Sequence, residues 1–246
     1  YRAAMLIWLL GLMLQPVVYL VVWITVARSR DGSVGDFDEP ALAAYYIVFM
    51  VVNHLTFDWH MHEMGWRVRS GSFSPLLMQP LHPIHRDLTS NMAYKLLTLA
   101  VVAPAAAALT WYFEPGFGAQ PWAVAAFAPA ILLAYLMRFA IEWTVALLAF
   151  WVTDTSGLNN LYYVTVIFLT GKVAPLTLMP EWVQVAATIS PFRWMVAFPV
   201  ELLLGRVSQT EAMMGLAAQG LWLALALGIL SVYWKRAVRI YSAVGA

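Results

Sequence analysis

The sequence predicts an all-α protein that crosses a membrane several times. Of its 246 residues 62% are hydrophobic and only 11% are charged, whereas a soluble domain carries about 25% charged residues. The mean hydropathy is +0.73. The few charges are spaced so that six apolar windows of roughly spanning length lie between them. At 1.5 Å per residue, about 20 apolar residues cross a hydrocarbon core of roughly 30 Å.

The windows follow in order. The first span, 3–27, lies between Arg2 and Arg28 despite Gln15 and Pro16. The second, 41–59, follows Pro40, and the third, 94–113, rests on the charge-free run after Lys95. Residues 115–153 are interrupted only by Arg138 and Glu142 and are too long for one crossing, so the fourth span is placed at 121–151. The fifth is 155–173 and the sixth 212–234. The chain is read as a single transmembrane domain over 1–246. It opens on Tyr1 rather than Met, so an N-terminal piece is expected to precede it.

The stretch 172–211 holds Pro175, Pro180, Pro191 and Pro199 with Arg193 and Glu201, which suits two short helices better than a span. Pro180-Glu181 opens the first, with an acid at the positive end of the helix dipole. Ser190-Pro191 opens the second as N-cap and first helical residue, and Gly205 stops it. A hairpin over 174–205, dipping into the membrane from one side, is expected to pack on the other helices, since irregular backbone at that depth needs protein or water around it. With six spans and both termini cytoplasmic, Arg2, Arg67, Arg69, Arg86, Lys95, Lys235, Arg236 and Arg239 fall inside. Arg28, Arg30, Lys172, Arg193 and Arg206 fall outside, so eight against five obeys the positive-inside rule. Trp8, Trp23, Trp111, Trp122, Trp182, Trp222 and Trp234 fall near the expected interfaces.

Other classes are excluded. A formal net charge of +1 offers no basic field for nucleic acid. Zero cysteines remove disulfides, thiolate metal sites and Cys nucleophiles. The first apolar run is of spanning length and lacks a small-residue cleavage site, so it is not expected to be a cleavable signal. The only Gly-Lys pair, Gly171-Lys172, lacks the glycine that a P-loop needs five residues earlier, and Gly71-Ser72-Phe73-Ser74 runs into Pro75 rather than the glycine of a nucleophile elbow.

Several polar residues stand out. Arg138 and Glu142, four apart inside the fourth span, share a face and pair; they either line a pathway or proton relay or lock two helices together. Asp58, His60, His62 and Glu63 cluster at the inner end of the second helix. Asp58 and His62 on one face allow a two-ligand metal site with His54 as a third ligand; equally, they are polar residues where a helix leaves the membrane. Tyr162, Tyr163 and Phe168 either line a route for an apolar or amphipathic substrate or simply pack. The connection 64–86 carries Arg67, Arg69 and Arg86, is stiffened by Pro75, Pro80 and Pro83, and is too apolar at Leu76, Leu77, Met78, Leu81 and Ile84 for a solvated loop. It reads as a docking surface for a second protein or as a segment lying on the membrane.

The run Arg69-Ser70-Gly71-Ser72-Phe73 followed by Leu76-Leu77-Met78-Gln79-Pro80-Leu81 resembles a segment of bacterial ABC type-2 exporter permeases. A later signature matches too: Pro191-Phe192-Arg193-Trp194, Phe198-Pro199-Val200-Glu201 and Leu203-Leu204-Gly205-Arg206. The resemblance covers nearly the whole chain. It implies a six-helix subunit of the bacterial inner membrane, with a cytoplasmic coupling segment between helices two and three and a re-entrant hairpin before helix six. It further implies two permease subunits, identical or related, with two copies of a separate ABC ATPase that holds the ATP and Mg; this chain would bind no cofactor and catalyse nothing itself. ATPase coupling would fall to Arg67, Arg69, Gly71, Leu76, Leu77, Pro80 and Arg86. A pathway and gate in contact with membrane lipids would use Asn53, Phe57, Tyr162, Tyr163, Phe168, Phe192 and Phe198. The family's usual amphipathic helix before span one is not in this sequence, and the Asp58–Glu63 run matches no family motif. An ion-gradient-coupled transporter resting on Arg138–Glu142 and an intramembrane metalloenzyme using Asp58, His60 and His62 are the alternatives.

Overall fold

A computed structural model describes residues 2–241, with side chains from Leu14 onward; Trp8 lies outside the described side chains. Among the described residues there are eleven α-helices and one two-residue β-hairpin. Helix α1 (Arg2–Arg28) leads into strands β1 (Ser33–Val34) and β2 (Phe37–Asp38), paired antiparallel with Ser33 opposite Asp38. Asp38 then caps α2 (Glu39–Thr56), accepting from Ala41 N–H at 2.8 Å, with Pro40 in the first turn.

The second expected span is not one continuous helix. It stops at Thr56, Phe57 is extended (φ −61°, ψ 140°), and α3 restarts over His60–Arg69. After α4 (Ser74–Leu77) the third long helix, α5 (Pro83–Phe113), begins at Pro83 and not near residue 94. His82 caps it, its side chain accepting from Ile84 N–H at 3.2 Å. Helix α6 (Pro121–Ala146) continues into a 3-10 turn, Leu147–Phe150, and α7 spans Ser156–Leu169. Helix α11 (Gln209–Ile240) is held at its start by a reciprocal capping box of Ser208 and Glu211, so it begins and ends beyond 212–234.

Between α7 and α11 lie a 3-10 turn (Leu176–Leu178), α8 (Glu181–Ile189), α9 (Phe192–Met195) and α10 (Ala197–Leu203). The first short helix starts at Glu181 as expected. Ser190 does not cap the second; its hydroxyl donates back to the Ala187 carbonyl at 3.1 Å, and a break at Val196 divides that helix in two. Gly205 ends it in the left-handed region (φ 67°), pressed on the carbonyl of Gly118, where a Cβ would collide.

Four stretches are long and apolar enough to cross a membrane: Glu39–Arg69, Pro83–Phe113, Pro121–Phe150 and Gln209–Ile240. Leu14–Arg28 is a shorter apolar helical stretch and α7 has 14 residues. Helix α2 is buried along nearly its whole length and sits at the centre beside α6, with α1, α5 and α10 packed on it. The most extensive helix pair is α6 with α11. Small buried residues of the two helices (Ala123 and Ala130; Ala212) share one apolar cluster, and Gln219 Nε2 of α11 donates to the Ala130 carbonyl of α6 at 3.1 Å. Helix α5 is inverted relative to a soluble one. Asp87, Asn91, Lys95 and Thr98 form a buried polar stripe, while Leu96, Leu97 and Trp111 face outward.

Candidate functional site

A cavity of about 560 Å³ lies in front of the central helices. Gly11 and Gln15 of α1 border one side and Asn160, Tyr162, Tyr163 and Val166 of α7 the other. Asn53, Phe57, Asp58, Met61, His62, Arg138 and Glu142 line the rest, and Lys172, just after α7, borders it too. The structure therefore brings together Asn53, Phe57, Tyr162 and Tyr163 of the pathway residues named from sequence. It does not bring the other three to the lining. Phe168 is exposed on α7, and Phe192 packs between two core clusters with its ring 6.0 Å from Tyr162. Phe198 is fully buried among Ala123, Ala130, Leu202 and Ala212.

The back wall is a buried ionic network. Arg138 Nε donates to Glu142 Oε1 at 2.8 Å, as their spacing predicts, and its Nη1 reaches Asn53 Oδ1 at 3.0 Å and Thr56 Oγ1 at 3.1 Å. Glu142 also accepts from the Tyr162 hydroxyl at 3.1 Å and from the backbone N–H of Asp58 at 3.2 Å. Asp58, only 2% exposed, holds His60 Nδ1 at 2.6 Å and accepts from Asn91 Nδ2 at 2.8 Å. His60 Nε2 in turn lies 3.6 Å from Asp87, which accepts from Arg67 at 2.8 Å and from the Trp143 indole at 3.0 Å. Arg67 ends the chain on Glu63 at 2.7 Å. Charged groups thus run from the cavity to the 64–86 segment, so Arg138–Glu142 is not an isolated pair.

The helix break also settles the geometry of the Asp58, His60, His62 run. The four-residue argument for Asp58 and His62 assumes a helix that is interrupted there. His60 and His62 sit two apart on α3 and face opposite ways, one buried and one exposed. Among the described residues no group of three or more His, Asp or Glu is arranged to hold a metal.

The 64–86 segment is folded onto the bundle. Gly71 (φ 69°) turns the chain after α3, and Phe73 N–H closes the turn on the Arg67 carbonyl at 3.1 Å. Phe73 is buried within an aromatic cluster with Phe150, Trp234 and Tyr241 (ring centroids 5.3, 6.3 and 6.0 Å). Ser74 Oγ and the Tyr241 hydroxyl lie 2.8 Å apart. Leu76 belongs to that core; Leu77 is half-buried. Arg67 is spent on Asp87 and Glu63, and Arg69 on the Thr153 carbonyl at 2.7 Å. What the segment presents outward is Trp66, Met78 (87% exposed), Pro80, Leu81 and Arg86. Burial, aided by the neighbouring charge of His85, holds the His82 imidazole below its ordinary value.

At the opposite end Arg193 and Glu201 pair with each other, while Arg206 reaches back to the β-hairpin. Arg193 Nη2 reaches Glu201 Oε2 at 2.9 Å, and Arg206 donates to the Asp36 carbonyl at 2.9 Å with its guanidinium 3.6 Å from the Phe37 ring centre. The turn entering this region hangs on Tyr45 and Tyr46, which sequence reasoning passed over, and on Trp23, which it placed only at a membrane interface. Tyr45 donates to the Gly171 carbonyl, and Tyr46 and Trp23 to the Val173 carbonyl, each at 2.7 Å. Asp87, Asn91 and Lys95 were also missed. Their signal was the spacing 87, 91, 95, 98, one face of a helix, hidden by treating Lys95 as a membrane boundary.

Long apolar, outward-facing helices packed around a buried ionic network, with a cavity opening at that network, mark a multi-pass membrane protein. The family model described as ABC-2 family transporter protein matches residues 13–245, and the chain belongs to that family. It is accordingly a multi-pass transporter subunit of the ABC type-2 permease class. Membrane subunits of this kind are generally not catalytic themselves, and membership implies association with an ABC ATPase. No match is found among curated proteins or solved structures.

Proposed function

We propose that this chain is one permease subunit of an ATP-driven exporter of a hydrophobic or amphipathic substrate from the bacterial cytoplasm. It would act with a second permease subunit and two copies of a separate ATPase, which carries the ATP and Mg. In this reading the six spans are α1, α2–α3, α5, α6, α7 and α11, with both termini cytoplasmic. The segment α8–α10 is a re-entrant hairpin whose turn, at Phe192, reaches the level of Tyr162 and gates the outer side. The cavity between α1 and α7 receives the substrate.

One observation carries the proposal. The outward patch of Trp66, Met78 and Leu81 is fixed to the bundle by the Phe73 cluster and joined to the cavity wall through Arg67, Asp87, His60 and Asp58. ATPase closure can drive transport only if it favours one permease conformation over another. A rigid patch tied by buried charges to the lining offers such a handle. The test is paired Met78→Asp and Leu81→Asp in the assembled complex. Loss of substrate-stimulated ATP hydrolysis with normal membrane insertion supports the role, and unchanged stimulation removes it.

A second reading has its own observation. The ionisable series Glu142, Asp58, His60, Asp87 links cavity and surface, as a proton-coupled transporter would require. Gradient-driven uptake or efflux in vesicles without ATP distinguishes it.

A further inference from the structure

We infer that the cavity selects amphiphiles with a negatively charged head, and that Lys172 is the anchor for that charge. The inference rests on the reading that this cavity receives the substrate. The other charges at the wall are already engaged. Arg138 holds Glu142, Asn53 and Thr56, while Asp58 holds His60 and Asn91. Glu142 accepts from Arg138, Tyr162 and the Asp58 N–H, and Lys95, behind the wall, donates to the Phe57 carbonyl.

Lys172 differs. It is only 8% exposed and borders the cavity, yet among the described residues it has neither a carboxylate partner nor a hydrogen bond. Its neighbour is the Tyr163 ring, 5.1 Å from the ammonium nitrogen. Taking an ammonium out of water without an anion is costly, and the usual remedy is a counter-charge with hydrogen bonds. A carboxylate, sulfate or phosphate entering the cavity supplies both. The rings of Phe57, Tyr162 and Tyr163 then offer apolar surface for the tail. The volume falls within the usual range for sites that take one small ligand.

The test uses the permease–ATPase complex in phosphatidylcholine nanodiscs without ATP. Three radiolabelled probes share one tail below their micellar concentrations: dodecyl sulfate, dodecylphosphocholine and dodecyltrimethylammonium. The expected result is a preference of about tenfold or more for dodecyl sulfate, lost in Lys172→Gln and kept in Lys172→Arg. Adding phosphatidylglycerol to the discs separates the sources of the anion. Competition identifies a bilayer lipid, and undiminished binding a free amphiphile. Equal affinity for the three heads overturns the inference. So does a Lys172→Gln complex that keeps the preference, or one that instead falls apart into single permeases, which would put a partner's carboxylate at the ammonium. Because binding is read without ATP, a complex that shows the preference but no ATP-dependent export sinks the exporter reading alone.

Discussion

Asp58 Oδ1 and His60 Nδ1 lie 2.6 Å apart at the point where the second long helix is broken. The break frees backbone groups that a helix would pair, and at membrane depth each needs a partner. The Phe57 carbonyl takes the Lys95 ammonium, and the Asp58 N–H turns to Glu142. Three helices, α2, α5 and α6, therefore meet through one irregular turn at the cavity wall.

Lys95→Met tests that turn. It keeps the side chain's length but removes the ammonium donor to the Phe57 carbonyl, leaving that carbonyl only the long contact from Asn91 Nδ2 at 3.5 Å. A loss of about 1–3 kcal/mol is expected, read as a lower thermal unfolding temperature in nanodiscs. An unchanged temperature would mean that the ammonium does not support the break.

Arg138→Ala strands a buried carboxylate, and breaking such a pair costs about 3–5 kcal/mol. The double variant Arg138→Ala/Glu142→Ala removes the stranded charge and should be more stable than the single one. Equal melting temperatures would argue against pairing as the source of the effect.

Leu76→Asp and Met78→Asp should separate fold from docking. Leu76 is part of the Phe73 core, so a carboxylate there should reduce the yield of folded permease. Met78 is 87% exposed, so the same change there should leave folding intact and weaken ATPase co-purification. The reverse pattern would place the docking face elsewhere.

His82 gives a pH signature. Burial lowers its folded-state value below the ordinary 6.5, so the unfolded state takes up a proton first as pH falls. The stability contributed by the neutral ring is present above the unfolded value and is lost as pH drops toward the folded one. Between about pH 7.5 and 5.5 the wild-type melting temperature should fall more than that of His82→Asn, which keeps the cap acceptor. Parallel curves would refute the assignment.

Much of the fold was legible because charge-free windows and Pro/Gly punctuation are local signals. The start at Glu181, the stop at Gly205 and the pairing of Arg138 with Glu142 all follow from spacing. The break at Phe57–Trp59 was not legible, because its partners Lys95, Asn91 and Glu142 come from distant helices. Lys95 was misplaced for a related reason: a lone cation near a window's edge looks like an interface residue until its carbonyl partner is known. In the 64–86 segment the apolar character was plain, but its inside and outside were not. Phe73 and Leu76 turn inward only because Phe150, Trp234 and Tyr241 converge on them.

The most direct test of the central claim is a photo-crosslink from position 78. A photoreactive phenylalanine analogue replacing Met78 is irradiated in cells of the native host, and the adduct is identified by mass spectrometry. A P-loop ATPase joined at position 78, and not from a control at Leu97 on the outward face of α5, is the predicted result. A position 78 that captures only lipid, while the protein remains folded and inserted, would contradict the claim that this face receives the motor.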